Sequence, residues 1–230
     1  HHVRLLPALA SVGHMEMILG LKEYRHLGEL PGHLGRPGGT TLCPGDRGSI
    51  PLMADLDDEF LPLFEAEDFN LCGDEPWELG KGRSARRAGR VGVGMVYADF
   101  LVKLNRLCEK HGKRMNAWAD IALKHPEMLT VLPGDTVLLN WDYQPGGERI
   151  RRTNEIVEAG LPCVICPGTH GWVSHGTRMD TSMTNVRETA RTARRYGLRG
   201  LLNTDWGDCG HRNTLGVSLH GFAHGAAHAW

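Results

Sequence analysis

The sequence lacks an excess of charge of either sign. Its 230 residues include 26 lysines and arginines against 27 aspartates and glutamates, a formal net charge of −1 at pH 7. A protein with this balance has no overall field that attracts nucleic acid or an anionic membrane. We therefore expect neither of these as a partner.

Long hydrophobic runs are also missing. No apolar stretch approaches the roughly 18–20 residues that a membrane-spanning helix needs. The first residues do not join a basic segment to an apolar one, as a signal peptide does. We expect a soluble, cytoplasmic protein. The chain has no initiator methionine and an apolar run begins almost at once, at Val3, so we also expect the N-terminus to be incomplete.

The sequence also lacks a cluster of cysteines or histidines that would indicate a metal site or a set of disulfides. The six cysteines are spread along the chain, several in apolar runs where a thiol acts as a small hydrophobic side chain. Cys163 and Cys166 have a redox or zinc spacing, but residues three apart in a strand face opposite sides. His220, His224 and His228 stand four apart on a predicted final helix without an accompanying carboxylate. We predict no metal at either place.

The rest of the chain alternates short apolar runs with longer amphipathic stretches, which is typical of βα units around a parallel sheet. The predicted strands are 3–9, 69–72, 114–118, 136–141, 161–166 and 200–203. The predicted helices are 15–29, 50–64, 91–111, 148–159, 184–196 and 215–230. We expect one catalytic domain over residues 1–230, with the irregular stretch 31–49 as an active-site loop.

Six βα units are two fewer than a (β/α)₈ barrel contains. The predicted fold is α/β, a TIM barrel truncated to about six units. An open doubly wound sheet would also accept six parallel strands, but its first turn would carry a glycine-rich phosphate-binding pattern. Residues 7–13 lack this pattern, and the glycines of residues 89–94 precede a helix without following a strand.

Tryptophans and carboxylates concentrate where the predicted strands end. Five of the six tryptophans lie there, at the edge that builds the active site of a parallel barrel. Indole rings stack on the C–H faces of a sugar, and carboxylates bind its hydroxyls. In an ordinary retaining glycosidase the two carboxyls come from separate segments, about 5–5.5 Å apart. The adjacent Asp74 and Glu75 instead suit substrate-assisted hydrolysis, in which a 2-acetamido oxygen of the substrate is the nucleophile.

Five segments carry a family resemblance: residues 12–15, 72–80, 118–121, 141–143 and 203–208. Together they resemble glycoside hydrolase family 20, the β-N-acetylhexosaminidases, and most closely its shorter, hexosaminidase D-like branch. The block around Asp74 and Glu75 and the stretch Trp206-Gly207-Asp208 are its most specific parts. The resemblance runs from Val3 to the end, and it implies that the first strand here is the third of the family barrel.

The resemblance implies an exo-acting, retaining β-N-acetylhexosaminidase without cofactor or metal, acting on a small glycoside or the non-reducing end of a glycan. By this resemblance Glu75 corresponds to the general acid/base, and Asp74 to the carboxylate that orients the acetamido group. Tyr143 would bind the acetamide oxygen. The other implied sugar-binding residues are His14, Trp118, Trp141, Trp206 and Asp208, with His170 and Trp172 in the pocket or at its rim.

The sequence departs from the family pattern in two ways. Asn70 and Cys72 stand where the family has histidine and glycine, and no strand is present to supply the family's sugar-clamping arginine. A catalytically silent sugar-binding fragment is therefore an alternative, and a homodimer could cover the open side of the barrel. A chitinase-type barrel is a third hypothesis, but it would space its acidic residues along the strand.

Overall fold

The structure, a computed structural model, describes residues 3–210 and 213–229. Five β-strands and nine α-helices alternate within these residues. The strands are β1 (Asp68–Asn70), β2 (Arg114–Trp118), β3 (Val137–Trp141), β4 (Cys163–Cys166) and β5 (Gly200–Leu201). The helices are α1 (Glu16–Leu19), α2 (Ser49–Phe60), α3 (Ala85–Val91), α4 (Val93–Lys110), α5 (Asp120–Lys124), α6 (Glu148–Arg151), α7 (Thr153–Glu158), α8 (Met179–Tyr196) and α9 (Leu219–Ala229).

The chain divides into two compact units, residues 1–137 and residues 138–230, which we call the first and second units. In the first unit β1 and β2 pair in parallel, with Phe69 opposite Met115. The buried residues of α4 recur at helical spacing and include Tyr97, Phe100 and Leu104. The sequence-predicted helix at 91–111 is confirmed by α4, and the one at 50–64 by α2 and the 3₁₀ turn that follows it.

The predicted first strand at residues 3–9 is reduced to a single parallel bridge between Ala8 and Asn70. Pro7 has no N–H to extend a ladder, although its carbonyl accepts a hydrogen bond from the Asn70 N–H at 3.0 Å. The side chains of Val3 and Leu5 are exposed. The α/β class is confirmed, whereas the count of six βα units is not.

The predicted helix at residues 15–29 is wrong. The structure has only the four-residue α1 and a 3₁₀ turn at Arg25–Leu27. The N–H groups of Met15 and Glu29 instead donate to the carbonyls of Thr40 and Thr41, at 2.9 and 2.8 Å. The segment keeps only isolated i to i−4 bonds, from the N–H groups of Leu19, Gly20 and Arg25, which are too few for a continuous helix.

In the second unit β4 lies between β3 and β5, and both pairings are parallel. A further single bridge joins Gly168 to Thr204. The helix predicted at 148–159 is split into α6 and α7 at Arg152, and the one at 184–196 begins five residues earlier as α8. The helix predicted at 215–230 is a 3₁₀ turn followed by α9, and Trp230 lies outside the described residues.

The alternation of helices with parallel strands in each unit is consistent with part of a (β/α)₈ barrel. That the chain forms one catalytic domain stays a prediction. Within the described residues, none of the helices is both long and apolar enough to cross a membrane.

Gly221 in α9 allows a close approach that an alanine would obstruct. A Cβ at this position would lie 2.8 Å from the Cβ and 2.9 Å from the Cα of Thr169. We expect Gly221→Ala to lower the free energy of unfolding by about 1–3 kcal/mol through overpacking. Gly89 in α3 has no heavy atom within 4 Å of such a Cβ, so Gly89→Ala should raise it by roughly 0.5–1 kcal/mol. Urea titration measures both, and equal effects would contradict the packing argument.

Candidate active site

Three ionisable side chains meet beside β1 in the first unit. The Nε2 atom of His14 lies 3.4 Å from Oδ2 of Asp74 and 3.5 Å from Oε2 of Glu75. The imidazole is about half exposed, and both carboxylates are partly accessible. Asp74 and Glu75, called the acidic pair below, therefore share one histidine and remain within reach of a ligand.

The two carboxylates change the protonation of His14. Hydrogen bonds to Asp74 and then to Glu75 raise its pKa from 6.5 to about 10, against the opposing effect of burial. The imidazole is thus positively charged at neutral pH. It compensates part of the repulsion between two neighbouring carboxylates.

The backbone that carries the acidic pair is strained. Cys72 and Glu75 have φ angles of 61° and 47°, and His14 opposite them has 57°. Residues other than glycine seldom adopt positive φ, and such strain clusters at functional sites. Two contacts hold the turn in place. The Tyr97 hydroxyl donates to the Gly73 carbonyl at 2.6 Å, and Oδ2 of Asp120 accepts from the Glu75 N–H at 3.2 Å.

Gly13 brings the His14 segment onto the backbone of the acidic pair. A Cβ on Gly13 would lie 2.1 Å from the Asp74 carbonyl oxygen and 3.0 Å from the Glu75 carbonyl carbon. Any larger residue would push the two segments apart. A glycine is required here for close approach, which explains how His14 reaches both carboxylates.

Glu78 anchors the 31–49 loop to the segment that follows the acidic pair. Its carboxylate has no exposed surface and accepts the N–H groups of Thr40 at 2.9 Å and of Thr41 at 3.0 Å. Nδ1 of His33 lies 2.9 Å from Oε1 of Glu78. The residues around His14 bind the same loop, because the Leu42 N–H donates to the Val12 carbonyl at 2.8 Å. The loop predicted to serve the active site thus braces the acidic pair and His14 together.

The two departures from the family pattern lie under this turn. Asn70, buried, accepts the Cys72 N–H at 2.9 Å with its side-chain oxygen, and so fixes the start of the strained turn. Burial raises the pKa of the Cys72 thiol to about 12, which makes it unreactive. The backbone N–H of Trp118 donates to the Cys72 carbonyl at 3.0 Å, and the Trp118 side chain is buried. Its role in sugar binding stays a prediction.

Five rings form a continuous cluster in the second unit. The ring centroids of Trp141 and Tyr143 lie 5.1 Å apart and stacked, and Trp172 meets Tyr143 edge-on at 5.1 Å. His170 stacks on Trp172 at 5.3 Å, and Nε1 of Trp206 donates to the Tyr143 hydroxyl at 2.7 Å. We call Trp141, Tyr143, His170, Trp172 and Trp206 the aromatic cluster. The structure thus brings together five residues that the sequence placed at three strand ends.

Asn185, in α8, joins two loops of the aromatic cluster. Its amide donates to the Asp142 carbonyl at 2.9 Å and accepts the Gly168 N–H at 3.1 Å. His170 is buried, which lowers its pKa, and its Nε2 lies 2.6 Å from the Tyr143 carbonyl oxygen. A neutral His170 therefore positions Tyr143. Sequence reasoning missed Asn185, because an isolated polar residue in a helix carries no signal of its contacts.

The acidic residues after β5 differ from the expectation in one respect. Asp208 is exposed in the 3₁₀ turn Asp208–Gly210, and its binding role stays a prediction. Asp205 instead accepts hydrogen bonds from the hydroxyls of Thr169 and, at 2.9 Å, of Ser218. Within the segment 203–208, Asp205 is thus the carboxylate that ties this loop together.

The histidines of α9 make separate contacts. Nδ1 of His220 lies 3.2 Å from the Val217 carbonyl oxygen, and Nε2 of His224 lies 3.1 Å from that of Met183. Among residues 3–210 and 213–229, no group of three or more histidine, cysteine, aspartate or glutamate side chains is arranged so that it could hold a metal ion.

No protein-family model and no curated protein matches the chain. Solved structures do. A chitobiase of Flavobacterium johnsoniae shares 18% identity at a TM-score of 0.72, with 99% of this chain and 36% of that chain covered. A β-N-acetylhexosaminidase of Bacteroides fragilis shares 15% identity at a TM-score of 0.73, covering 99% and 48%. A family 20 exo-β-N-acetylglucosaminidase of Vibrio harveyi, solved with N-acetylglucosamine, shares 17% at 0.70, covering 99% and 39%.

The resemblance to family 20 is thereby confirmed at the level of the fold. These neighbours are glycoside hydrolases, and this chain spans less than half the length of each of the three. At identities of 15–18% the likeness concerns the fold alone. The roles of the individual residues stay predictions.

The contact between His14 and the acidic pair predicts an unusual titration. We expect the His14 ring to titrate near pH 10 in the folded protein, and its pKa to fall in Asp74→Asn because the strongest hydrogen bond is lost. Since the folded pKa exceeds the unfolded value of about 6.5, the ion pair stabilises the fold fully below that pH. This contribution is lost as the pH rises toward 10.

NMR of the ring protons, assigned with His14→Gln, measures the pKa. Asp58→Asn, which alters the distant pair with His111, is the control. A wild-type value near 6.5 would contradict the geometry.

The buried carboxylate of Glu78 predicts a large loss of stability on truncation. Glu78→Ala leaves the N–H groups of Thr40 and Thr41 without acceptors, at a cost of roughly 1–3 kcal/mol each. The exposed Glu59 makes no described contact, so Glu59→Ala should change the free energy of unfolding by less than about 0.5 kcal/mol. Urea unfolding compares the two. Similar losses would show that Glu78 is not the anchor of the loop.

Proposed function

We propose that the chain acts as an exo-acting, retaining β-N-acetylhexosaminidase on terminal N-acetylglucosamine or N-acetylgalactosamine, by substrate-assisted catalysis. The observation that carries the proposal is the acidic pair on its strained turn, with a protonated His14 at 3.4 and 3.5 Å from the two carboxylates. Adjacent carboxylates suit a mechanism in which the substrate supplies the nucleophile. The glycoside hydrolases that share the fold support the same reaction class.

In the proposed reaction Glu75 donates its proton to the glycosidic oxygen while the 2-acetamido oxygen attacks C1. The bond between C1 and the leaving oxygen breaks, and a cyclic oxazolinium forms. Asp74 accepts a hydrogen bond from the acetamido N–H and stabilises the positive charge. Water then attacks C1 and gives a proton to Glu75, while the bond between C1 and the acetamido oxygen breaks and the acetamido group is restored, so that the sugar leaves with its original β configuration.

His14 supplies the charge compensation that this cycle requires. When Glu75 is protonated, the charges of His14 and Asp74 cancel, and the site presents a neutral acid beside a compensated carboxylate. When Glu75 has given up its proton, His14 is also close enough to stabilise the new carboxylate. One imidazolium therefore serves both states of the acid.

The aromatic cluster offers the surfaces that a pyranose ring needs. Trp141 and Trp206 remain partly exposed, and the Tyr143 hydroxyl is held by Trp206. We propose that the indole faces of this cluster stack on a sugar ring and, by the family resemblance, that Tyr143 binds an acetamide oxygen. Arg149 lies 3.7 Å over the ring of Trp141 and fixes its orientation.

A catalytically silent sugar-binding fragment is the second candidate function. It is favoured by the share of the solved chains that this chain spans, 36% to 48% of the three named above. The two candidates share their sugar contacts and differ only in turnover. A hydrolysis assay therefore separates them.

We expect the chain to hydrolyse nitrophenyl β-glycosides that carry a 2-acetamido group and to ignore those with a 2-hydroxyl. Glu75→Gln should lower kcat about 10²–10⁴-fold for poor leaving groups and much less for nitrophenol, which needs little protonation. Asp74→Asn should lower kcat sharply with little change in KM, because it acts mainly in the transition state. Glu59→Gln is the matched control, expected to leave both constants unchanged.

Three results would contradict the proposal. Equal losses for both leaving groups would remove Glu75 from the acid role. A covalent sugar ester trapped on Asp74 by a 2-fluoro substrate would show that Asp74, and not the 2-acetamido group of the substrate, is the nucleophile. Sugar binding by calorimetry without any hydrolysis would favour the silent fragment.

A further inference from the structure

Four arginines line a single cavity in the first unit. The open cavity has a volume of about 490 Å³ and is lined by Arg83, Arg86, Arg87 and Arg90 together with Gly45, Ser84 and Val96. Their positions are i, i+3, i+4 and i+7, so they share one side of α3 and of the turn before it. Like charges at this spacing destabilise a helix, so their collection on one side disfavours α3 itself.

Two of these arginines are neutralised and two are not. Arg83 pairs with Asp46, and Arg87 pairs with Asp99. The side chains of Arg86 and Arg90 are exposed and make no hydrogen bond or ion pair with the residues that the structure describes. The cavity therefore keeps two guanidinium groups that stay protonated at any physiological pH and are available to an anion.

Hydrogen bonds, rather than buried side chains of α3, hold the turn that begins this cavity. No side chain of α3 is buried. The turn before the helix is instead fixed by Glu29, a residue with no exposed surface, whose Oε1 accepts the Ser84 N–H at 2.9 Å and the Ser84 hydroxyl at 2.6 Å. The Arg83 N–H donates to the Glu29 carbonyl at 3.0 Å. The arginines thus start from an ordered backbone, which lowers the entropic cost of binding.

The arginine cavity and the acidic pair belong to the same connection, the one between β1 and α4. In a parallel α/β fold, the connections that follow the strands build the face on which ligands bind. We propose that the arginine cavity binds an oxyanion group, a sulfate ester or a carboxylate, on the part of a glycan that lies beyond its terminal N-acetylhexosamine. The inference rests on the proposed function and adds the class of substrate, an anionic glycan.

Two observations favour a glycan over a nucleic acid. Proteins that bind single strands combine a basic groove with aromatic platforms for the bases, whereas no aromatic side chain is among the described residues that line this cavity. The formal net charge of −1 also gives the chain no general attraction for polyanions. Planar guanidinium groups bind sulfate and carboxylate oxygens in pairs, which suits a small, localised anion.

Calorimetry on the 230-residue chain tests the proposal. The probes are a sulfated tetrasaccharide with a terminal β-N-acetylhexosamine, its desulfated form, and a form that carries a carboxylate in place of the sulfate. We expect Arg86→Gln/Arg90→Gln to weaken binding of the sulfated probe at least tenfold. Lys103→Gln/Arg106→Gln removes the same charge from exposed positions of α4 and should weaken it less than twofold. The desulfated probe should not distinguish the variants, and the carboxylated probe shows which anion is preferred.

Several outcomes would overturn the anion site. Equal weakening by the two double variants would reduce the effect to net charge. Displacement of the probe by inorganic sulfate at equal concentration would indicate a simple anion only, and tighter binding of a single-stranded oligonucleotide would indicate nucleic acid.

Hydrolysis of a neutral acetamido glycoside by the unmodified chain is measured separately. It distinguishes failure of the proposed function from failure of the anion site. Arginine-dependent binding without hydrolysis would support the anion site and refute the enzyme. Hydrolysis without arginine-dependent binding would support the enzyme and refute the anion site.

Discussion

Glu78 buries a carboxylate that water cannot reach, and a buried charge is tolerated only where the protein supplies its hydrogen bonds. The donors are the N–H groups of Thr40 and Thr41, at 2.9 and 3.0 Å. The same loop pairs with the backbone on both sides of His14, through Val12 and Met15. Because Glu78 follows Glu75 by three residues, one ion determines where the loop, the histidine and the acidic pair lie relative to each other.

Such bracing matters because the acidic pair lies on a backbone that would relax if left alone. Positive φ angles at Cys72 and Glu75 persist only where surrounding contacts over-determine them. Tyr97 and Asp120 hold the turn from beneath, and Gly13 closes on it from the opposite side. The position of the carboxylates is therefore set by contacts made to the backbone of their turn rather than by packing of the carboxylate side chains themselves.

The sequence predicts the features that have a local pattern. Hydrophobic periodicity indicates α2, α4 and β2 to β4, and the residue types at the strand ends indicate the acidic pair. The sequence does not predict what distant backbone partners decide. Residues 15–29 have helical spacing, but the N–H groups of Met15 and Glu29 at the two ends pair with the 31–49 loop, and these distant pairings leave no local signal. The helix α3 was missed because its stripe is charged rather than apolar. The contact of His14 with both carboxylates depends on the absence of a side chain at Gly13, which composition alone does not reveal.

The two units differ in the kind of side chains that gather at their strand ends. The first holds a compensated set of ionisable groups, and the second holds stacked rings positioned by Asn185 and His170. Identity to the solved relatives is only 15–18%, because cores accept many hydrophobic side chains of suitable volume. Under the proposed function, proton transfer and stacking on a sugar would not allow such exchange, which accounts for a sequence resemblance that lies in a few short segments, most of them at strand ends.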